Sequence, residues 1–328
     1  METTNNHSEQ DAVSEVFESE EPQRTPFILG NTKEMTMEEL GDMLTPVFSR
    51  DNVETISNCE SISTINDAVT TFFEGQEIKT PVIRCSHELK LRNRWGAGKL
   101  VENLAPTDSD SYMQRMIAMI EIPSISANIN GSPCNLQVCI ARNYADYNLL
   151  GNSSQYQSYK IGCGFVNLLC TNGLFKTDIC NLNVKVTNTA DLYRYTMELL
   201  QRYDYNQHIE DMRRLNDVTI SISNLAQFLG RARMASQMPI QMKKELGIPE
   251  FILPEAQINQ MVRDYYTDEN FGGFGREITA WQFYMLLTNY KNNYIDVTLE
   301  RACNAFTVSK GIAAAVSHES GEWNWFIN

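Results

Sequence analysis

Between Val82 and Val186 apolar and polar residues alternate in short runs. From about residue 189 onward the apolar positions instead recur every three or four residues. A period of two places one face of an extended chain against a core, and a period near 3.6 makes a stripe along a helix. The alternation over Val82 to Leu91 predicts a half-buried strand, ended by Gly96 and Gly98, with one helical turn over Lys99 to Leu104. Met113 to Ile122 (MQRMIAMIEI) reads as a more apolar strand that Pro123 stops. Ser124 to Ile129 follows as another, and Asn130-Gly131-Ser132 signals a hairpin turn into Leu136 to Ala141. Gln157 to Asp178 (QSYKIGCGFVNLLCTNGLFKTD) is the stretch that organises the region. A strand through Ile161, Cys163 and Phe165 runs into the block Val166 to Cys170 and breaks at Asn172-Gly173, a dipeptide suited to positive φ. It resumes at Leu174-Phe175 as a strand or helix entry, and Leu182 to Val186 completes the set. Strands at this spacing, with no helices between them, predict an antiparallel sheet.

Helical patterns flank the sheet. Thr36-Met-Glu-Glu39 is a capping box opening a short helix, and a second covers Ile65 to Phe73 and closes at Gly75. After the sheet, one helix carries Leu192 through Leu215 behind a cap at Asn188 or Thr189, with a short strand over Val218 to Ile222. Ser223 then opens a helix, and Pro239, Pro249 and Pro254 punctuate a loop. Further helices start at Glu255, at the cap Thr279 and at the cap Asp296. The expected fold is α+β: an antiparallel sheet over about 80–187 packed against a C-terminal helical region over about 189–316. Residues 1–30 are expected to be a disordered acidic leader, 31–79 short helices, 188–316 the helical part of one integrated domain with the 80–187 core, and 317–328 a C-terminal tail.

Charge changes this picture only once it is located. The formal net charge is -14, yet the first 60 residues hold fourteen acidic and three basic residues, a net of -11. The body is nearly neutral, so a nucleic-acid surface is not excluded. No run is apolar enough to span a membrane, and the polar, acidic start is not a signal peptide, so a cytoplasmic location is expected. Eight cysteines without a CxxC pair, and four histidines, make no zinc pattern. The thiols read as reduced, buried core residues, and no metal or cofactor is expected.

The clearest candidate chemistry is the run Arg84, Lys90, Arg92, Arg94, Trp95 and Lys99, opposed locally only by Glu88. In a strand Lys90, Arg92 and Arg94 share a face, and cations beside an aromatic ring suit single-stranded nucleic acid. The same stripe also suits a solvated sheet face, or a face that docks the acidic leader. Gly96-Ala-Gly98-Lys99 lacks the spacing of a phosphate loop, with Leu100 where Ser or Thr belongs. Cys163 or Cys170 with His87 or His208 would be the pieces of a thiol nucleophile, but no protease signature surrounds them and no catalytic residue is assigned. Asn172 and Gly173 are assigned a structural turn.

Three segments together resemble the domain of unknown function family 3871, within the broader phage- and plasmid-like "CTNG" domains: IGCGFVNLLCTNGLF, ISNLAQFLGRARM with INQMVRDYYTDENF, and ITAWQFYMLLTNYKNNYIDVTLERACNAF. IRCSHELKLR and YMQRMIAMIEIP are similar to strands of that family, although Lys90-Leu91-Arg92 stand where it has a Gly-Arg pair. The resemblance covers roughly residues 80 to 310. It implies a gene of phages and mobile elements of gut bacteria and carries no activity or catalytic residue with it. The resulting expectation is an accessory protein, more in keeping with binding than with catalysis. It would contact single-stranded nucleic acid through the basic strand or, alternatively, act as an interaction module such as an inhibitor or decoy of a host defence protein. An unrecognised enzyme is the third reading.

Overall fold

The computed structural model describes residues 28, 31–46, 55–146, 156–169, 173–271, 276–289 and 294–328. Among these described residues six strands form one antiparallel meander in chain order: β1 (Lys33–Met35), β2 (Val82–Arg92), β3 (Ser109–Ile129), β4 (Ser132–Asn143), β5 (Gln157–Asn167) and β6 (Gly173–Val186). Among the described residues two helices, α1 (Met37–Gly41) and α2 (Asn58–Phe72), lie between β1 and β2. After the sheet come α3 (Thr189–Arg202), α4 (Tyr205–Arg214), α5 (Ile222–Gln237), α6 (Ile240–Glu245), α7 (Glu255–Thr267), α8 (Ala280–Thr288) and α9 (Thr298–Val316). The short strands β7 (Thr219–Ile220) and β8 (Ile278–Thr279) pair with each other ahead of α5 and α8. The fold is α+β, with the helical C-terminal half that the periodicity predicts.

Both faces of the central sheet are covered, which is why β3 reads as apolar at successive positions rather than alternately. Met116, Ala118 and Ile120 join Val138, Ile140, Ile161 and Phe165 in the larger core, to which α2 adds Ile62, Ile65 and Val69 and α3 adds Leu192 and Leu199. Ile117 and Met119 point the other way, into a second core with Cys139, Ala141, Phe175, and Leu299, Ala302 and Cys303 of α9. The capping box expected at α1 (Thr36 with Glu39) forms, and the expected cap Thr279 opens α8 in a capping box with Gln282. The turn at Asn130 and Gly131 has φ of 51° and 84°, the left-handed pair that a two-residue hairpin needs.

Several expectations require correction. Pro123 does not stop a strand: β3 continues through it to Ile129, with the register shifting between Ile122 and Ser126, so the irregularity absorbs the missing N–H. The helix expected from Leu192 to Leu215 is two, because Tyr203 is extended and Asp204 caps α4 by accepting from the Gln207 amide. α2 starts earlier than the apolar stripe suggested, at a Ser57–Glu60 capping box. The cap of α5 is Ser221, and α9 starts beyond Asp296 without a side-chain cap. The 31–79 stretch holds strand β1 as well as helices. Ile28 lies inside the span expected to be disordered, yet it is buried in the second core. Trp323 and Phe326, in the span expected to be a tail, are buried and packed around Phe251.

The turn assigned to Asn172 and Gly173 is also revised. Asn172 lies outside the described residues, and Gly173 is the first residue of β6 without a positive φ. Its need for glycine is one of space: a Cβ there would come within 2.5 Å of the Phe175 ring. Gly164 is held for the same kind of reason, a Cβ lying 2.3 Å from the Leu174 carbonyl oxygen where β5 and β6 slip register. The two glycines let β6 close over β5. Finally, Cys180 of β6 and Cys303 of α9 are joined as a disulfide, against the expectation that every thiol is free. Cys59, Cys85, Cys139 and Cys163 carry free thiols, and Cys170 lies outside the described residues.

Candidate interaction site on the sheet arm

β4 ends opposite Arg115, but β2 and β3 stay paired from Glu88↔Met113 to Arg92↔Ser109. The two strands therefore run on past the rest of the sheet as an arm, and residues 93–108 close its tip. The base is fixed by Tyr112, whose ring meets Tyr144 edge-on at 6.0 Å, while the Arg142 guanidinium lies over Tyr144 at 4.2 Å.

The tip is built, rather than simply bridged, by two polar side chains. The Asn93 carboxamide oxygen accepts from the Trp95 and Gly96 amides, its nitrogen donates to the Thr107 carbonyl, and its backbone N–H donates to the Asp108 carbonyl. Asp108 is only 3% exposed; its carboxylate accepts from Lys99 Nζ and from the Ala105 amide, each at 2.7 Å. The Lys99 hydrogen bond, followed by the Ala105 amide, holds the Asp108 carboxyl below its usual pKa range. Lys99 is thus committed within the loop. The glycines before it serve the turn: Gly98 has a φ of 80° and Gly96 sits against the Asp108 carbonyl. A phosphate-loop role for this stretch has no remaining support.

The six residues of the basic run are not one surface. Arg84 is buried, donating from Nε to Thr32 Oγ1 at 2.7 Å and from Nη2 to the Thr32 carbonyl at 3.1 Å, with Glu34 at 3.4 Å. It is a structural cation and sits apart from the others. Lys90 and Arg92 share one face of the arm, across from Ser111 and Ser109, and Arg92 also donates to the Lys99 carbonyl. Arg94 stacks over Trp95 at 4.4 Å, and Trp95 is 62% exposed. Pairing brings in charges that the linear run hides. Residues 87–112 contain Lys90, Arg92, Arg94 and Lys99 against Glu88, Glu102, Asp108 and Asp110, a balance of zero.

The signal that the basic run overshadowed is apolar. Leu89, Leu91, Trp95, Leu100 and Val101 are all exposed on the arm, Leu100 by 63% and Val101 by 75%. Exposed apolar side chains gathered into a contiguous patch are a mark of interaction surfaces, and this short arm carries five.

Other groups that could carry chemistry are closed in. His208 is fully buried among the rings of Phe165, Tyr203 and Phe306, paired through Nδ1 with the Tyr203 hydroxyl at 2.9 Å. Burial, reinforced by Lys176, lowers its pKa to about 3. Cys163 is buried and its thiol is pushed up in pKa, the reverse of what a nucleophile needs. A polar cavity of about 620 Å³ lies between β4, β5, β6 and the start of α9. There Lys160 pairs with Glu300 at 2.9 Å and donates to the Asp296 carbonyl, while Arg115 meets Asp296 at 3.5 Å. Asp146, on the same wall, has its pKa raised mainly by burial. Among the described residues no group of three or more His, Cys, Asp or Glu is placed to hold a metal ion, and no helix is long and apolar enough to cross a membrane.

An α+β protein with a closed, double-faced core and a projecting arm is what the chain amounts to structurally. By sequence it belongs to the family described as "Domain of unknown function, B. Theta Gene description (DUF3871)", whose model matches residues 8–327. No curated protein and no solved structure gives a significant match.

Proposed function

We propose that the chain is an interaction protein that docks a protein partner through the β2–β3 arm. The observation that carries this is the pairing of exposed apolar residues with balanced charge. An exposed Trp stacked with Arg at a projecting tip is the kind of anchor that protein–protein hot spots use, and the neighbouring Leu and Val add apolar area that can exclude water around it. A nucleic-acid site would instead need a surplus of cations, because its affinity rests on neutralising phosphates. In the setting of a mobile-element gene, the partner would be a host protein met in the cytoplasm, and the chain an inhibitor or decoy of it.

A photo-crosslinking residue at Leu100 tests this in cells. Capture of one protein band is expected, resistant to nuclease, absent when the crosslinker sits at Glu198 on α3, and lost when Val101 is changed to Asp. Crosslinks that disappear with nuclease, or that are indifferent to Val101→Asp, would overturn it.

Contact with single-stranded nucleic acid is the second reading, favoured by the Arg94–Trp95 stack beside Lys90 and Arg92. With Arg84 buried and Lys99 held by Asp108, three cations are left to meet phosphates. The slope of log K against log salt should then be about -2, from roughly 0.7 per phosphate. No binding at low salt would remove this reading.

A further inference from the structure

We infer that the open edge of β2 receives an extended segment of the protein partner as an added strand, one in which acidic and apolar residues alternate. The inference rests on the arm being a docking element and says how it docks.

On one side β2 is paired with β3 as far as Arg92. On the other, β1 reaches only Ile83 to Cys85. The reason is local. Arg84 grips Thr32 through its carbonyl and hydroxyl, the strand ends there, and Ile28 lies buried over the sheet face beside Ile117 and Met119. Ile28 is thereby placed on the sheet face and not along the edge. Among the described residues no strand pairs with that side of Ser86–Arg92, and residues 87–92 are all exposed. An edge strand presents a row of unused N–H and C=O groups, which is what strand addition uses.

The side chains say which strand fits. Leu89 and Leu91 lie on one face of the arm, opposite Tyr112 and Asp110; Lys90 and Arg92 lie on the other, opposite Ser111 and Ser109. A strand laid alongside sets its own alternate residues next to these, apolar against leucine and carboxylate against Lys90 and Arg92. Lysine on an open edge is a usual guard against indiscriminate pairing, and the same charge selects an acidic strand over a neutral or basic one.

A second copy of the chain fits less well. Self-pairing centred on Lys90 sets the two lysines against each other and leaves both without a carboxylate, although Glu88 then faces Arg92 at each end; centred on Leu91 it opposes Lys90 and Arg92 twice. The register centred on Leu89 would oppose Glu88 and Lys90, but it needs His87 extended, whereas His87 has a φ of 58°. That left-handed residue also limits the usable edge to Glu88 through Arg92.

The test uses the full chain and a fluorescent, acetylated decapeptide of alternating Glu and Val, read by anisotropy. Its control is the depsipeptide with esters for the four central amides, which keeps shape and charge but removes edge donors. The amide peptide should bind at least tenfold more tightly than the ester. The exposed double variant Lys90→Glu with Arg92→Glu should lose at least tenfold for Glu-Val and gain affinity for a Lys-Val peptide. Equal binding of amide and ester would reduce the effect to charge attraction and overturn strand addition, as would a dimer of the chain alone that the double variant abolishes. Absence of peptide binding, with the Leu100 crosslink intact, would sink this inference while leaving the docking arm standing. Loss of both would remove the arm reading itself.

Discussion

His208 should make the protein acid-sensitive in a way that a single substitution can isolate. The imidazole is fully buried, and burial lowers its pKa from 6.5 to about 3, with Lys176 acting in the same direction and Asp211 opposing. Because the folded-state value is depressed, the native protein declines the proton that the unfolded chain accepts below pH 6.5. The stability lent by the neutral ring is therefore complete above pH 6.5 and is lost progressively down to about pH 3. Each pH unit in that window costs at most about 1.4 kcal/mol, so about 2.7 kcal/mol is gone by pH 4.5. His208→Gln keeps an acceptor for the Tyr203 hydroxyl but does not titrate. At pH 7.5 it should be less stable than the parent by about 1–3 kcal/mol, through imperfect packing in the ring cluster. By pH 4.5 the difference should have closed or reversed. Asp146, whose raised pKa works in the opposite sense, is common to both proteins and cancels in the comparison. Urea unfolding followed by tryptophan fluorescence from pH 7.5 to 4.5 gives both curves. Parallel curves would refute the reasoning, since they would mean that the imidazole gains its proton in the folded state as readily as outside it.

Four further outcomes are expected. Gly173→Ala should cost on the order of 1–3 kcal/mol by crowding Phe175, and a Phe175→Leu background should recover part of the loss; strain in φ would not respond to the second change. Cys180 and Cys303 should appear as a two-hydrogen mass deficit under oxidising conditions and as a dithiol from a reducing cytoplasm; a tryptic map with the two cysteines in separate peptides under oxidising conditions would contradict the pairing. In the native state Cys59 should alkylate well before Cys85 and Cys139, whose thiols burial pushes up to about 12. Arg84→Met should open the start of the chain, seen as new proteolysis near residues 28–36 with the sheet intact; an unchanged digestion pattern would show that Thr32 is not held by Arg84.

How far the sequence discloses this protein depends on the range of the interaction being read. Local signals are legible: the capping box at Thr36, the cap at Thr279 and the Asn130-Gly131 turn involve partners a few residues apart, and each forms as its residues suggest. What fails involves partners far away in the chain. Gly173 looks like turn glycine in isolation, and only Phe175 folded back against it reveals a packing glycine. Cys180 and Cys303 are 123 residues apart, and no spacing rule could have joined them.

The basic run fails for the same reason and is the most instructive case. Read along the chain it has five cations against Glu88. Folding adds a second strand whose Asp108 takes Lys99 and whose Asp110 lies across from Leu91, while Thr32, some fifty residues upstream, takes Arg84. A charge pattern in one strand is half of a pattern, because its neighbour supplies the other half. Exposure of apolar side chains is equally non-local. Leu89 and Leu91 carry the same alternation as Ile83 and Cys85, yet the latter pair is core and the former open. The apolar alternation within β2 does not by itself separate the two halves. The difference is made by β4, which stops at Asn143 opposite Arg115, and by β1, which goes no further than Cys85. The site is defined by where its neighbours end, and that information resides in other segments of the chain.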